Sequence, residues 1–172
     1  MDIPIEYRRM KHGDESYVFN FILGVFNQFV APQFSQEGID EFMKYIQPDT
    51  LANHLKSNNF GLIAAFKSEI IGAIVVRNYN HVALFFVDSR YQRKGIGREL
   101  FRKALEICNN QEIRPSQVTV NASPNSVNAY KKLHFEAIDA ERCVNGIRFV
   151  PMSLRLQQMG AANNCIQPDA QV

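Results

Sequence analysis

The sequence predicts a mixed α/β domain, and three successive patterns lead to that prediction. In the first third of the chain, apolar residues recur every three or four positions, which is typical of amphipathic helices. Over residues 60–87 the apolar residues become dense, β-branched and aromatic, which is typical of strands. Helix and strand patterns then alternate as far as residue 154. Antiparallel strands followed by a βαβ unit make a mixed sheet with helices packed against it.

The first half of the chain predicts one strand and two helices. Residues 3–9 form the strand, and Asp14 or Ser16 caps a helix that runs to about residue 29. Ala31-Pro32 ends this helix because proline disfavours helical backbone in the residue before it. Ser35 opens the second helix, which reaches about residue 46 and is closed by Pro48. A short segment over residues 50–57 follows.

The second half predicts the sheet and two further helices. Strands over residues 60–66 and 70–77 are joined by a hairpin at Lys67-Ser68-Glu69, and a third strand follows. The remaining predicted elements are a helix, a strand, a helix and two closing strands that form a hairpin, over residues 95–108, 117–120, 124–133, 135–140 and 146–154. We expect one domain over residues 1–156 and a flexible tail over residues 157–172, where the chain turns small and polar.

The composition is that of one globular domain in a reducing compartment. The chain has 172 residues, 46% of them hydrophobic and 21% charged, which is enough for an apolar core. A formal net charge of +2 gives no reason to expect a nucleic-acid partner. The three cysteines are odd in number and lack metal-ligand spacing, so we expect no metal site and no catalytic cysteine: Cys108, Cys143 and Cys165. No apolar run approaches the roughly 18 residues that cross a bilayer, and the first residues carry no secretory signal, so we expect a cytoplasmic protein that does not enter a membrane.

The turn between the third strand of the sheet and the next helix has the composition of an anion site. Its residues 92–97, which we call the cradle, are Gln92-Arg93-Lys94-Gly95-Ile96-Gly97. The two glycines let the backbone bend and expose its N–H groups at the positive end of a helix. Together with Arg98, the cradle cations add positive charge. Taken alone, a G-x-G pattern favours an ordinary strand–helix turn with a solvated basic face. The cradle fits neither a Walker A loop nor a Rossmann fingerprint.

The cradle and a second segment together resemble a known family. The pattern Q-x-x-G-x-G after a hydrophobic strand is similar to motif A of the GNAT acetyltransferases. Residues 118–135, with the sequence VTVNASPNSVNAYKKLHF, resemble motif B of the same family. In motif B a strand is followed by a helix that ends in Tyr-x-x-x-Gly-Phe. The family's glycine is His134 in this chain, which puts the local turn in doubt. The order of elements agrees with the family over residues 3–155.

The resemblance implies a fold, an activity and a cosubstrate. The fold has a mixed sheet of about six or seven strands flanked by about four helices, and the activity is acetyl transfer from acetyl-CoA to an amine by direct attack, which needs no metal. In this family the strand before the cradle splays from its neighbour, so that its backbone binds the pantetheine arm. The implied cosubstrate-binding residues are therefore the backbone of Phe85 and Val87, all six cradle residues with Arg98, and Ser123 and Asn128.

Three residues are candidates for proton transfer. The resemblance implies that Tyr130 is the general acid that protonates the departing thiolate. Strand alternation puts His81 on the same face as Ala83, Phe85 and Val87, where it is the first candidate for the base. Glu37, before the second helix, is the other candidate. A packed tyrosine and a solvated histidine remain the alternatives for Tyr130 and His81.

The acceptor is less well defined by the sequence. The first two helices carry aromatics and carboxylates that suit a small-molecule amine or the amino group of a peptide or protein, namely Phe26, Phe29, Phe34, Phe42, Tyr45, Glu37, Asp40 and Glu41. An amphipathic helix with a core face and an acidic face explains the same residues. Residues 29–39 resemble an uncharacterised bacterial subgroup of the family. A homodimer through exposed phenylalanines, a non-catalytic acyl-CoA-binding module and a nucleotide-binding protein stay open as alternatives.

Overall fold

The computed structural model describes residues 4–156, and within them the chain forms eight strands and five α-helices. The predicted tail over residues 157–172, with Cys165, lies outside the described residues. In chain order the elements are β1 (Glu6–Arg9), α1 (Glu15–Phe29), α2 (Gln36–Ile46), α3 (Pro48–His54), β2 (Phe60–Phe66), β3 (Glu69–Arg77), β4 (His81–Val87), α4 (Ile96–Asn109), β5 (Gln117–Ala122), α5 (Val127–Lys132), β6 (Glu136–Ala137), β7 (Arg142–Val144) and β8 (Ile147–Arg155).

The sheet is mixed, as the sequence predicts. Its strand order is β1-β2-β3-β4-β5-β8-β6, and β7 pairs with β8. Every neighbouring pair is antiparallel except β4 and β5, which are parallel and joined through α4. A parallel pair needs such a crossover because the chain must return to the same end of the sheet. The fold class and the βαβ unit are therefore confirmed.

Two short elements extend the predicted order. Pro48 ends α2, as expected, but it also occupies the first turn of α3, where its missing N–H costs nothing. The closing hairpin joins β7 to β8 through Asn145 and Gly146, whose φ angles are 50° and 75°. An Asn-Gly pair is a strong sequence signal for a two-residue hairpin turn. The hairpin partner of β8 is therefore β7, and the strand predicted over residues 135–140 is reduced to β6, which pairs with β8 elsewhere along its length.

The sheet carries one hydrophobic layer on each face. Helix α4 and the aromatic residues near α5 cover one face, where Leu100, Phe101 and Phe135 are buried against the strands. Helices α1, α2 and α3 cover the other face, with Val18, Ile22 and Leu51 buried. We call these the α4 face and the α1 face. The two layers fix which way each residue of the central strands points.

A bulge in β4 changes the alternation that the sequence analysis assumes. Val75 pairs with Leu84 and Val76 pairs with Val82, so Ala83 is an extra residue with no partner in this ladder. Val82 and Phe85 therefore both point to the α4 face, although they are three residues apart. The prediction that His81 shares a face with Phe85 is wrong. His81 precedes the bulge, pairs with Arg77, and points to the α1 face.

Asp14 is the N-cap residue of α1, and its side chain is hydrogen-bonded to residues that precede the helix. The predicted cap position is confirmed, but the side chain accepts no hydrogen bond from the helix. It accepts two from the Arg8 guanidinium, at 2.8 and 3.0 Å, and one from the Lys11 N–H at 2.9 Å. Asp14 is buried, and its hydrogen bond with Arg8 lowers the pKa of this carboxyl.

Replacing Asp14 by asparagine should therefore lower the free energy of unfolding by about 1.5–3 kcal/mol at pH 7, the range for hydrogen bonds to charged groups. Because its pKa is lowered in the folded state, Asp14 contributes fully above its ordinary pKa, and the contribution disappears as pH falls through the lowered value. Urea unfolding at pH 7 and below about pH 3.9 measures this. The exposed Asp49→Asn provides the matched control, and an Asp14→Asn deficit that does not shrink with acid would contradict the assignment.

Candidate functional site

The cradle has the backbone geometry of an anion site. Arg93 and Gly95 have left-handed φ angles of 59° and 83°, and Gly95 directly precedes α4. Among the described residues, the N–H groups of residues 93–98 have no hydrogen-bond partner, and the first helical bond of this region is donated by Glu99 to Gly95 at 3.0 Å. Unpaired N–H groups at a helix N-terminus attract a negative group. This holds for the backbone independently of the side chains.

The side chains around the cradle divide into bound and free groups. Gln92 Nε2 donates to the Val87 carbonyl at 3.1 Å, so Gln92 ties the cradle to the end of β4. Arg93, Lys94 and Arg98 are exposed, and none forms an ion pair with a described residue. Arg90, in contrast, is held by Asp88 and Glu69, so its charge is largely neutralised. Three cations of the region thus remain available for an anion.

The strand before the cradle is open along one edge. In the described parts of β4 and β5, only His81 with Thr119 and Val82 with Val120 form ladder pairs. Residues 83–87 of β4 and residues 121–122 of β5 have no pairing between them, and we call this opening the gap. The expected splay of the strand before the cradle is confirmed. Because β3 pairs with the other edge of β4 on both sides of the bulge at Ala83, the free backbone groups of β4 after the bulge face the gap.

Aromatic side chains cover the α4 face beside the gap. The Phe85 ring lies 6.2 Å from the Tyr130 ring and 6.4 Å from the Phe101 ring, measured between centroids. Phe135 packs edge-on against Tyr130 at 5.4 Å. Tyr130 is only 8% exposed, and this burial raises the pKa of its phenol. Tyr130 is therefore a neutral phenol at every physiological pH. Phe86 points to the opposite face, toward Phe42 at 6.1 Å, as expected.

The segment that resembles motif B keeps its geometry despite His134. The predicted helix over residues 124–133 consists of a 3₁₀ turn, Pro124–Ser126, and then α5. His134 adopts φ 68°, its N–H donates to Lys131, and the Phe135 N–H donates to Tyr130 at 3.1 Å. These two bonds form a Schellman motif, so the histidine takes the conformation that glycine usually supplies.

Ser123 and Asn128 have different surroundings. Ser123 lies at the predicted N-cap position, but its side chain does not cap a helix N–H. Its hydroxyl is hydrogen-bonded to Asn125 Oδ1 and Ser126 Oγ, at 2.8 and 2.9 Å. Asn125 Nδ2 also donates to the Phe29 carbonyl at 2.7 Å, which ties this loop to the end of α1. Asn128 is exposed on α5. Asn128 has the freer side chain of the two candidates.

His81 lies at the point where the gap begins. Its Nδ1 is 2.8 Å from Thr119 Oγ1, on the strand across the gap. Burial, and then the charge of Arg77, lower the pKa of His81. The ring is therefore neutral at pH 7 and able to accept a proton. Sequence reasoning missed Arg77 and Thr119, although the short three-residue turn between β3 and β4 already predicts that Arg77 and His81 are neighbours.

Glu37 is exposed, whereas the aromatic residues of the first two helices pack together. Glu37 is exposed in the first turn of α2 and forms no hydrogen bond or ion pair with a described residue. The aromatics largely pack on one another, because the Phe26 and Phe42 rings stack at 4.0 Å and Phe34 lies edge-on to Phe26 at 5.8 Å. Core packing therefore explains Phe26 and Phe42. The Tyr45 ring instead lies 4.4 Å from the His54 ring.

Neither a cluster of metal ligands nor a membrane-spanning helix is found in the part of the chain that the structure describes. Residues 4–156 contain no group of three or more His, Cys, Asp or Glu side chains placed to hold a metal ion. No helix among them is long and apolar enough to cross a bilayer. Burial raises the pKa of Cys108 to about 12, which is opposite to the change that activates a thiol.

Comparisons with known proteins agree with this geometry. Residues 30–156 match the family model described as the acetyltransferase (GNAT) domain. A GCN5-related N-acetyltransferase from Rhodopseudomonas palustris has a TM-score of 0.75 at 19% identity, over 91% of this chain and 99% of that one. The PaiA N-acetyltransferase of Thermoplasma acidophilum, solved with coenzyme A, has a TM-score of 0.73 at 18% identity, over 88% and 99%. A GNAT acetyltransferase from Staphylococcus aureus Mu50 has a TM-score of 0.71 at 17% identity, over 89% and 99%. No curated protein matches the chain.

Proposed function

Because the chain belongs to the GNAT acetyltransferase family, we propose that it transfers the acetyl group of acetyl-CoA to a primary amine by direct attack. Members of this family are acyltransferases that use acetyl-CoA. The observation that carries the proposal is the gap beside β4, which has the cradle at one end and His81 at the other. A cosubstrate bound along β4 lies between a phosphate site and a group that accepts protons.

The cradle and β4 together suit coenzyme A. Free N–H groups of residues 93–98 and the exposed Arg93, Lys94 and Arg98 match a pyrophosphate in charge. The edge of β4 that faces the gap offers backbone groups of Phe85 and Val87 to the amides of a pantetheine arm, although the Val87 carbonyl already accepts from Gln92. We assign the exposed Asn128 on α5 to the same ligand as a side-chain donor, and Ser123 stabilises the loop before α5 through its hydrogen bonds with Asn125 and Ser126.

The reaction requires one bond to form and one to break. The amine nitrogen attacks the thioester carbon, the carbon–sulfur bond breaks, and the amine loses a proton. We assign the proton that the departing thiolate takes up to Tyr130, whose phenol stays protonated because burial raises its pKa. A phenol is a weaker acid than a thiol by about 1.5 pKa units even in water. Tyr130 therefore acts only as the thiolate forms, when the charge on sulfur is also desolvated.

We assign the proton lost by the amine to His81. Its lowered pKa keeps it neutral at pH 7, and Thr119 orients the ring through Nδ1. Nε2 is then the nitrogen that accepts the proton. Glu37 is the weaker candidate, because it is exposed on α2 and bound to no described residue.

The pH dependence of the His81→Ala variant tests this assignment. The ratio of wild-type to variant kcat/KM cancels the ionisation of the acceptor itself. If His81 is the base, we expect this ratio to rise with pH, to level off through the pKa of His81, below about 6.5, and to reach at least about 10²-fold. The exposed His12→Ala is the control. A ratio that does not change between pH 5 and pH 8 would remove His81 from the mechanism.

An acceptor screen tests the proposed reaction as a whole. Purified protein is incubated with acetyl-CoA and a panel of amines, amino acids and peptides, and free thiol is measured together with the acetylated product. Turnover with at least one amine supports the proposal. Tight binding of CoA without turnover on any amine points to a non-catalytic acyl-CoA-binding module, and equal competition by CoA and ATP points to a nucleotide-binding protein.

A further inference from the structure

Arg77 is a partly buried cation without a carboxylate partner. It ends β3 and points to the α1 face, where its guanidinium carbon lies 6.0 Å from the centre of the Tyr45 ring. No described Asp or Glu forms an ion pair with it. Its Nε is buried and has no hydrogen-bond partner. A guanidinium that has lost water on one side and gained no partner is unfavourable in the free protein.

A second unpartnered group lies beside it. His54, near the end of α3, packs its ring 4.4 Å from the same Tyr45 ring, and its Nε2 is also buried without a partner. Burial, and then the charge of Arg77, lower the pKa of His54, which indicates that the two groups are close. Arg77 and His54 therefore place two unused polar groups, one of them a cation, around one tyrosine. Buried polar groups in native proteins normally have a hydrogen-bond partner, so two unpartnered groups side by side require an explanation.

The carboxylates of the neighbouring helices do not face this cluster. On α2, Glu41 pairs with Lys44 at 3.7 Å, Asp40 accepts from Gln36 at 2.8 Å, and Glu37 is exposed. On α3, Asp49 is exposed. Burial, and then the charge of Arg77, lower the pKa of both His54 and His81, and no carboxylate acts on the pKa of either ring. The net charge that faces the cluster from all its elements is therefore positive.

The cluster is adjacent to the proposed base. Arg77 and His81 are direct partners across the β3–β4 ladder, and side chains in such pairs start about 5 Å apart. His81 in turn reaches Thr119 at the mouth of the gap. An acceptor whose amine lies at His81 therefore has Arg77 within a few bond lengths of that amine. An uncharged amine leaves Arg77 unpaired, whereas a carboxylate close to the amine neutralises it.

We propose that Arg77 and His54 form a subsite for the carboxylate of the acceptor, and that the acceptor is an amino acid or a similar amine with a carboxylate a few bonds from its nitrogen. This inference rests on the proposed acetyl transfer and deepens it by naming the substrate class. The bound carboxylate pairs with the Arg77 guanidinium, which has the planar geometry suited to it. It also offsets the positive charge beside His81, so the same contact makes His81 a stronger base.

Kinetics with matched acceptors test the substrate class. Glycine, alanine and leucine are compared with their amides, which differ from them only in replacing the carboxylate. The amides have the less basic amines, so at neutral pH their free form is more abundant and the comparison is biased against our expectation. We expect kcat/KM to favour the acids by about ten- to a hundredfold, which corresponds to about 1.4–2.8 kcal/mol. Equal or better use of the amides overturns the proposal.

Variants of Arg77 locate the effect. Arg77→Gln should abolish the preference for acids through KM, while the affinity for CoA, which we assign to the cradle end of β4, stays unchanged. Arg77→Lys keeps the charge and should restore part of the preference. Arg9→Gln is the matched control, because Arg9 also lies over an aromatic ring, that of Phe60 at 5.5 Å, but on the edge strand β1. An equal loss on acids and amides in Arg77→Gln, with no rescue by lysine, would assign Arg77 a structural role.

Binding to the free protein separates this proposal from the proposed reaction. The chain has four histidines, so the imidazole NMR signals can be assigned with single substitutions. We expect sodium butyrate, but not butyramide, to shift the signals of His54 and His81 saturably and to raise their pKa, while His12 and His134 stay unchanged. Absence of this shift in the wild type overturns the subsite. This result does not depend on whether the Arg77 variants fold. A shift without turnover of any amine keeps the subsite and overturns the acetyl transfer.

Discussion

Replacing Tyr130 by phenylalanine is expected to lower kcat by about 10²-fold or more, with little change in the affinity for acetyl-CoA. The substitution removes only the hydroxyl. The ring contacts with Phe85 and Phe135 remain, because they are made by the edges and faces of the aromatic groups. Loss of the proton donor forces the thiolate to leave as an anion in a site that burial makes apolar. The defect should therefore appear in the chemical step, measured by thiol release at saturating acetyl-CoA.

The control for this prediction is Tyr7→Phe, which removes a hydroxyl from β1 at the far edge of the sheet. It should leave kcat unchanged. Acetyl-CoA affinity is measured by calorimetry on both variants, so that a binding defect is not mistaken for a catalytic one. If Tyr130→Phe turns over at the wild-type rate, Tyr130 is only a packing residue and another group or water protonates the thiolate.

Gly97→Ala should separate the stability of the protein from its affinity for acetyl-CoA. A Cβ built on Gly97 lies 3.5 Å from both Phe85 and Val87, which is ordinary van der Waals contact, and its φ is not left-handed. The fold therefore has room for the methyl group, and alanine in a helix stabilises by about 0.5–1 kcal/mol relative to glycine. Under the proposed function the pyrophosphate approaches the backbone of the cradle at Gly97, and an added methyl group there hinders that approach. We expect the Kd for CoA to rise at least about tenfold, which is about 1.4 kcal/mol.

Gly24→Ala is the matched control, because a Cβ at this position of α1 meets no atom within 4 Å. It should raise the thermal midpoint by a similar amount and leave CoA binding unchanged. Thermal unfolding and calorimetry on the two variants distinguish the two effects. Unchanged CoA affinity in Gly97→Ala would mean that the ligand does not approach the first turn of α4.

The agreement between sequence and structure is closest where a local pattern has a local cause. Gly95 takes the left-handed conformation that two glycines before a helix predict, and Ser35 caps α2 by accepting from the Gly38 N–H at 3.3 Å. His134 keeps the turn that glycine supplies elsewhere, because its neighbours complete the Schellman bonds. The family itself was identifiable from two segments of sequence. Each of these features depends on residues that are close together along the chain.

The errors lie where distant residues interact. Strand alternation puts His81 on the face of Phe85, but the bulge at Ala83 reverses that assignment, and an extra residue in one strand is not visible in its own apolar pattern. The predicted acceptor aromatics Phe26 and Phe42 stack on each other, because helices α1 and α2 pack together over the sheet. Composition alone does not distinguish an aromatic that lines a pocket from one that fills a core.

By itself the sequence determined the family and the order of the longer elements, and it selected the cradle and Tyr130 as candidates, because hydrophobic period, turn residues and motif spacing are local properties of the chain. The tertiary structure alone decided the surroundings of each group. It separated β4 from β5 beyond Val82, buried Tyr130, and brought Arg77 and His54 together beside the proposed base without a carboxylate. Burial and the absence of a partner change the energy of a charge, and both depend on which elements pack against each other rather than on which residues are adjacent in sequence.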